Sequence, residues 1–325
     1  MAKSIYQIII DLEGDKETQR AIQELGQNVG LTGAALTAFS AGVAKMAMDY
    51  EVALANVATV SDETTGTTEE FSAALFDLQQ NMQGAINVQE GAVAAYDMAS
   101  AGIKDQTSLM QALESGQKAA IAGQSDLSAV TAGAVGVVNS YGDALGEGLT
   151  QAEQFDKVIN LMLQTQADGV LTADDYARSI GGIASTMKLA GLSIEQVNAI
   201  IAVTTAKGIG AASSFTNLQQ AVSNIQKPSN MAAEEAKRMG IEFSAARLQA
   251  VGLDGILQDM VDSGKMQADT LAKMFESTEA RASIAILVDN LDGLETAYQA
   301  QINGLNALDK AYEITGVTRA QQVTN

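Results

Sequence analysis

The pattern of apolar and polar positions changes character once, close to the start of the chain. Residues 4–12 form an unbroken run rich in β-branched and aromatic side chains, SIYQIIIDL, which is typical of a strand. Beyond Gly14 the segments are Ala-rich and amphipathic, and the single proline, Pro228, leaves long helices uninterrupted. The pattern therefore predicts one short strand followed by a chain that is helical almost throughout.

Helix start signals recur along the chain in one form. A Ser, Thr or Asn is followed three residues later by an acid or amide, so each side chain can bond the other residue's backbone N–H. One such match is common by chance, but five of them, each opening an Ala-rich run, form a pattern. The pairs are Thr67 with Glu70, Asn87 with Glu90, Thr150 with Glu153, Thr172 with Asp175, and Ser193 with Gln196.

Helix stop signals agree with these starts. Glycine readily adopts the left-handed conformation that ends a helix, and an apolar residue after it folds back onto the last turn. Four pairs fit this description, namely Gly102–Ile103, Gly191–Leu192, Gly208–Ile209 and Gly240–Ile241. Starts and stops together predict an all-α fold of short and medium helices with tight Gly-terminated turns, over residues 17–59, 68–83, 88–101, 106–122, 126–141, 151–167, 173–190, 194–207, 212–226, 230–239, 253–262, 268–289 and 291–314.

The organisation predicted from these elements has three parts. Residues 1–60 hold the strand and a long Ala/Gly-rich helix, residues 61–290 form a multi-helix core module, and residues 291–325 form a terminal helix with a connector to a further region. The glycine stops follow no fixed period, which argues against a solenoid. Gly26 and Gly30 have the spacing of a membrane-helix packing motif, but a soluble close-packing contact or chance explains them better in so Gly-rich a chain.

The composition removes much catalytic chemistry. The 325 residues include no Cys and no His, so no thiolate or imidazole can act as nucleophile, general base or metal ligand. Carboxylates, Ser, Thr, Lys and Tyr remain. The start lacks the features of a signal peptide, and no segment reaches the roughly 20 strongly apolar residues of a membrane-spanning helix.

The charge balance is strongly acidic. Lys and Arg total 19 against 39 Asp and Glu, which gives a formal net charge of −20. Duplex-binding proteins normally carry the opposite sign, and an anionic membrane surface would repel this chain. A soluble acidic surface explains the balance, and a surface adapted to avoid DNA is the sharper alternative.

Some acidic motifs resemble known sites without their essential residues. Residues 11–15 start like a calcium-binding EF-hand loop, but Lys16 and Ile22 stand where that loop needs Gly and Glu. Asp174 and Asp175 suit the first turn of a helix better than a metal pair, because carboxylates there oppose the helix dipole. Asp62 and Glu63 lie in a Thr-rich segment and fit a solvated turn.

The remaining motifs are incomplete as well. Gly208–Ile209–Gly210 lacks the third Gly, the Lys and the preceding strand of a phosphate-binding loop. Gly181 and Gly182 are predicted to lie in mid-helix as a close-packing site. Ser185 and Lys188 would form a nucleophile only around a buried Lys, and paired carboxylates for glycoside cleavage stay open because their separation is spatial. We predict no enzyme, and no catalytic, cofactor-binding or metal-binding residue.

A more specific signal is the order of several segments along the chain. These are 48–60 (MDYEVALANVATV), 94–103 (AAYDMASAGI), 139–142 (NSYG), 169–209 with LTADDYARSIGGIAS, LAGLSIEQVNAI and TAKGI, 227–229 (KPS), 236–241 (AKRMGI) and 271–275 (LAKMF). In this order and spacing they resemble the core region of phage tail tape measure proteins over about residues 48–290. Two departures affect local helix ends: residues 183–187 lack a Pro that family members often carry, and Glu276 stands where they often have Gly.

The resemblance implies a structural protein of the virion. Such proteins fill the lumen of the tail tube in several copies, direct tail assembly, set tail length and leave ahead of the DNA during genome ejection. The implied partners are the tail tube protein, tail assembly chaperones, tail tip or baseplate proteins and further copies in a trimer or hexamer. The resemblance implies no cofactor and no stable nucleic-acid binding, and it leaves transient host-membrane contact open. The implied location is the phage tail, with the host cytoplasm during assembly.

Two considerations bear on this resemblance. A fully helical chain of 325 residues would span about 490 Å at 1.5 Å per residue, which is a usable length for a ruler. The many caps and glycine stops favour a folded module instead, so we expect the measuring segment to lie mostly downstream. The alternative function is an envelope-active protein, pore-forming or wall-cleaving, that acts in genome entry.

Overall fold

The computed structural model describes residues 33–60, 66–82, 86–304 and 306–323, together with Arg20, Glu24 and Gln27. These residues contain sixteen α-helices, one 3-10 helix and no strand, so the all-α prediction is confirmed. The predicted strand over residues 4–12 lies outside the described residues. The chain divides into two compact units, Met1–Ser100 with Lys104–Gln106, and Ala101–Ile103 with Thr107–Asn325. The three-part division at residues 60 and 290 stays a prediction.

The first unit is built on three helices, α1 (Gly33–Val60), α2 (Thr68–Asn81) and α3 (Val88–Ser100). Helix α1 packs mainly against α3, and α2 packs against both. Tyr50 of α1 is buried, its hydroxyl lies 2.9 Å from Ser72 Oγ, and its ring meets Phe76 edge-on at 5.9 Å between centroids. Polar and aromatic contacts of this one side chain therefore join α1 to α2.

The second unit contains the remaining helices. In chain order they are α4 (Gln106–Ala122), α5 (Leu127–Tyr141), a 3-10 turn (Gly142–Leu145), α6 (Gln151–Asp168), α7 (Ala173–Ile180), α8 (Ala184–Leu189), α9 (Ile194–Ala206), α10 (Ala211–Gln226), α11 (Asn230–Met239), α12 (Ala245–Asp262), α13 (Ala268–Met274), α14 (Thr278–Val288), α15 (Leu291–Asn303) and α16 (Ala307–Val323).

Helix α9 is the centre of this unit. Every residue from Val197 to Thr205 is buried, so the helix is covered on all sides, as a central helix must be. Its neighbours are α6, α8, α10, α14 and α15. The unit is therefore organised as amphipathic helices around one helix whose central residues are buried on all sides.

The predicted helix starts are well matched by the structure. Full capping boxes form at Thr67, Thr150, Thr172 and Ser193, each with the partner three residues later. Asn87 caps α3 through a bond from Gln89 N to its Oδ1 at 2.9 Å. Substituting such a cap by Ala costs about 1 kcal/mol, so five caps contribute substantially to defining where helices begin.

The predicted glycine stops adopt the expected left-handed conformation. The φ angles are +106° at Gly102, +87° at Gly191, +97° at Gly208 and +86° at Gly240. After α9, Ile209 N donates to Thr204 O at 3.1 Å and Gly208 N donates to Thr205 O at 2.9 Å. This bond pair is the Schellman motif, and it recurs after α8 and α11.

Three predicted helices are wrong because each is interrupted. The predicted helix 173–190 is two helices, since Gly181 and Gly182 lie in the turn between α7 and α8 rather than in mid-helix. The predicted helix 268–289 breaks at Phe275, whose extended backbone sends its ring into the core against Phe243 at 5.7 Å between centroids. The predicted helix 291–314 is two helices, the first ending at Asn303 and the second beginning at Ala307.

One helical segment was not predicted. Helix α12 begins at Ala245, eight residues before the predicted start, and it changes direction at Gly252, which has φ +71° and ψ 178°. Ser244 caps its start by accepting a bond from Arg247 N at 3.0 Å. The predicted helix starts at residue 253 and so covers only the part of α12 that follows Gly252.

Candidate interaction site

The carboxylates and nucleophiles singled out in the sequence take part in local structure. Asp175 completes the capping box of α7, and Asp174 pairs with Arg178 Nε at 2.7 Å, so both lie in the first turn as predicted. Ser185 Oγ lies 3.0 Å from Ser140 Oγ, whereas Lys188 Nζ donates to the backbone oxygen of Tyr141 at 3.0 Å. The structure therefore gives Ser185 and Lys188 different partners and does not join them as a nucleophile and base.

The other candidate motifs are also placed in turns or lie outside the description. Gly208 ends α9, and Gly210 is the residue before α10. Residues 11–15, Asp62 with Glu63, and Gly26 with Gly30 lie outside the described residues. Within the described ranges, no group of three or more His, Cys, Asp or Glu side chains is arranged to hold a metal ion.

The second unit carries a cleft of about 440 Å³ between α9, α12 and α15. Its floor is apolar and mostly buried, and its rim is mostly polar, with some rim residues exposed and others half-buried. The floor consists of Ala199, Ile200, Leu253, Leu291 and Leu294, and the rim of Gln196, Asp254, Gly255, Gln258, Asp292, Glu295 and Tyr298. A volume of this size falls within the range of about 300–1,000 Å³ seen for ligand clefts.

The break at Gly252 shapes this cleft. A Cβ atom at this position would lie 2.3 Å from Asp254 Oδ1 and 3.0 Å from Gln196 Nε2, so a side chain here would displace that pair. Gln196 Nε2 donates to Asp254 Oδ1 at 3.1 Å. The second half of α12 thus begins at the cleft, with Asp254 tied to α9, while Asp292 lies in the first turn of α15.

The cleft is electrostatically negative. Its three acidic residues are Asp254, Asp292 and Glu295, and its lining, which lies wholly in the described part of the chain, contains no basic residue. The pKa of Tyr298 is raised, first by burial and then by Glu195, Asp254 and Glu295. The Tyr298 ring therefore lies among several carboxylates whose charges disfavour ionisation of its hydroxyl.

The charge of the neighbouring Glu195 is balanced by an ion pair. It lies 2.8 Å from Lys157 Nζ, and both side chains are largely buried. Glu295 instead accepts a bond from the neutral amide of Gln299 at 2.9 Å. No ion pair within 4 Å joins the three rim carboxylates to Lys or Arg among the described residues, so their charge is left for a ligand or for water.

Four helices of the second unit share a buried polar network. Tyr176 Oη donates to Asn198 Oδ1 at 2.9 Å, and the Gln301 side-chain amide lies 3.4 Å from Asn198 and 3.2 Å from Thr165 Oγ1. All four side chains are buried. Burial raises the pKa of Tyr176, although its bond to Asn198 works in the opposite direction. The network therefore joins α6, α7, α9 and α15 through side-chain contacts.

The first unit exposes apolar side chains on two of its helices. On α1, Met48 is 66% and Val52 is 60% exposed, and on α3, Val93 and Tyr96 are also exposed. The opposite sides of both helices are buried, for example at Leu54 of α1. These side chains are candidates for contact with another molecule.

Length and apolarity decide whether a helix within the described residues could span a membrane. No single helix there is long and apolar enough to cross a bilayer, and only α4 and α5, bent by 119° where they meet, would pass such a test as a pair. Both helices bury many residues inside the second unit, as core helices of globular proteins also do.

Comparison with known proteins places the chain in a phage context. Residues 79–278 match the family model described as phage-related minor tail protein, which is more than half of the chain. The chain is 24% identical over 315 residues to a probable tape measure protein of Clostridium phage phiCD119, covering 92% of this chain and 32% of that protein. It is 25% identical over 239 residues to a tape measure protein of Pneumococcus phage Dp-1, covering 71% of this chain and 20% of that protein.

These relatives are much longer than the chain. It spans about a third of the first relative and about a fifth of the second. No solved structure matches it.

Proposed function

Because the chain belongs to the phage-related minor tail protein family, we propose that it is a structural, length-determining component of a phage tail that occupies the lumen of the tail tube. In this proposal it directs tail assembly, resides in the virion after assembly in the host cytoplasm, and leaves ahead of the DNA during genome ejection. The observation that carries the proposal is the family match over residues 79–278, a span that includes helices α3 to α13 whole.

The physical character of the chain supports a structural role. Small residues let helices approach closely: a Cβ on Gly133 of α5 would lie 2.6 Å from Ala177 Cα of α7. The net charge of −20 would cause DNA to repel the protein, which favours release ahead of the genome. No catalytic function is part of this proposal.

The proposed partners follow from the tail role. They are the tail tube protein, the tail assembly chaperones, the tail tip or baseplate proteins and further copies of the chain in a trimer or hexamer. The exposed apolar side chains Met48 and Val52 are suited to contact between copies, because large exposed apolar side chains gain from burial in an assembly.

We also propose that the described helices form a folded module rather than the measuring segment itself. Capping boxes, Schellman ends and the buried centre of α9 all specify a folded three-dimensional unit. An extended ruler would not need α6, α7, α9 and α15 to share a buried polar network. In this proposal, the length is measured by a part of the protein other than these helices.

The experiment is removal of the gene from its phage, with complementation by wild type or variants. We expect purified wild-type virions to contain the protein by mass spectrometry, and cells lacking it to produce no tails of normal length in electron micrographs. Normal tails without the protein would refute the proposal. Dye release from liposomes, or clearing of peptidoglycan in gels, by the purified chain would favour the envelope-active alternative.

A further inference from the structure

The cleft between α9, α12 and α15 has the properties of a binding site for a positively charged group on an apolar stem. We propose that it binds a basic, amphipathic helical segment of a partner protein. Lys or Arg side chains of that segment would lay their methylene groups on the apolar floor and bring their charged ends to Asp254, Asp292 and Glu295. This inference does not depend on the tail role.

The shape of the cleft supports a side chain with an apolar stem. The floor residues Ile200, Leu253 and Leu294 are buried, while Asp254, Asp292 and Glu295 on the rim are exposed. Long basic side chains bury their methylene groups against apolar surface while keeping their charge at a polar edge. An apolar floor below an acidic rim fits that geometry better than it fits a compact ion.

The charge of the cleft supports a positive partner. Its three carboxylates have no basic partner within 4 Å, and the amides of Gln196 and Gln299 that bond two of them are neutral. A cationic group would form charge-assisted hydrogen bonds there, which are stronger than bonds between neutral groups. A second copy of the chain, with its net charge of −20, is a poorer match than a basic partner.

The placement of the carboxylates on two different helices supports an extended cation. Asp254 and the pair Asp292 and Glu295 belong to different helices, and these side chains do not form a group that could hold one metal ion. A helical segment presents basic side chains at positions three and four residues apart, and such a row can meet carboxylates on two facing helices at once.

The test measures binding of labelled peptides to the full chain by fluorescence anisotropy. The probes are an amphipathic helical peptide of Leu, Ala and Lys about four turns long, and the same peptide with Glu in place of Lys. The cleft variant removes three negative charges, and the control variant removes three from exposed acids elsewhere in the same unit. The cleft variant is Asp254→Asn, Asp292→Asn and Glu295→Gln, and the control is Asp143→Asn, Glu147→Gln and Glu234→Gln.

We expect the Lys peptide to bind the wild type and the control with similar affinity, and to bind the cleft variant at least about tenfold more weakly. Circular dichroism checks that both variants keep the wild-type helix content. Because the chain has no Cys, a dye on Gln258→Cys at the rim provides a second, local signal of binding.

Four results would overturn the proposal. Equal loss of affinity in both variants would mean that binding depends only on net charge, and equal binding of the Glu peptide would remove the charge argument. Spermidine that binds with the same affinity as the peptide and displaces it would make the cleft a site for small cations. Dimers in sedimentation experiments that the cleft variant abolishes would make it a contact between copies.

Discussion

The contact between α5 and α7 allows a direct test of packing by small residues. Gly133 and Gly136 lie one turn apart on α5. A Cβ added to Gly133 would lie 2.6 Å from Ala177 Cα and 2.7 Å from Ala177 Cβ, whereas a Cβ added to Gly136 would lie 3.6 Å from Gly181 Cα. The first distance requires the backbone of α7 to move, and the second is an ordinary contact.

The magnitudes follow from two opposing effects. Alanine is favoured over glycine inside a helix by about 1 kcal/mol, and this gain applies to both positions. Overpacking of a well-packed interface costs about 1–3 kcal/mol, and this cost applies only to Gly133. We therefore expect Gly136→Ala to stabilise the protein and Gly133→Ala to be less stable than Gly136→Ala by about 1–3 kcal/mol.

The assay is unfolding in urea followed by far-ultraviolet circular dichroism, which reports directly on an all-α protein. The difference in unfolding free energy between the two variants isolates the contact, because the helix-propensity gain cancels. Equal stabilities would show that α7 moves away at little cost. Close approach at Gly133 would then not stabilise the fold, and the packing account would be wrong at this interface.

Three further predictions concern the core, a helix end and a cap. Asn198→Leu leaves the Tyr176 hydroxyl without its buried partner and should lower the free energy of unfolding in urea by about 1–3 kcal/mol. Adding Tyr176→Phe should recover part of that loss. No recovery would contradict the role of the network. Gly208→Ala places a side chain at φ +97° and should cost about 1–2 kcal/mol, with a smaller loss for Gly208→Asn, whereas equal losses would argue against a conformational cause. Bonds from the backbone and side chain of Thr150 lower the pKa of Glu153, so this carboxylate stabilises the fold above the pKa of an unfolded Glu, and the contribution disappears as the pH falls through its folded pKa. Glu153→Gln should therefore show a shallower loss of stability than wild type in acid, and parallel curves would refute the assignment.

Local signals predicted the fold best where caps and stops stood close together. Helix α11 has the predicted bounds because Ser229 caps its start and Gly240 ends it in the left-handed conformation. The end of α4 was also predicted correctly, although Gln124 rather than a glycine takes the positive φ there. Short-range chemistry is sufficient in such cases, because the bonds that end a helix lie within six residues.

Tertiary packing explains the errors. Phe275 breaks a predicted helix because its ring is buried against Phe243, which lies 32 residues earlier in the chain. Gly181 and Gly182 form a turn, although the helical pattern of apolar and polar residues continues through them. The sequence predicts the glycine pair as a packing site inside a helix, and neither residue carries a local signal that distinguishes such a site from a turn.

The cleft could not be predicted from sequence, because its residues come from three distant helices. Asp254 and Asp292 each stand near the start of a predicted helix, where a carboxylate is ordinary and has a sufficient local explanation. Only the fold brings these side chains together around Tyr298. Their clustering without a basic neighbour is visible in the structure alone.

The claim that this region is a folded module of a tail protein, rather than the ruler, is tested most directly by insertion. The loop at Glu147 and Gly148 is exposed, and a Cβ at Gly148 would meet nothing within 4 Å, so added chain should be tolerated there. Helical insertions of about 30 and about 60 residues would lengthen an extended ruler by about 45 and about 90 Å. We predict that electron micrographs of phage carrying these insertions will show tails of unchanged length. Tails that lengthen by those two increments would contradict the account.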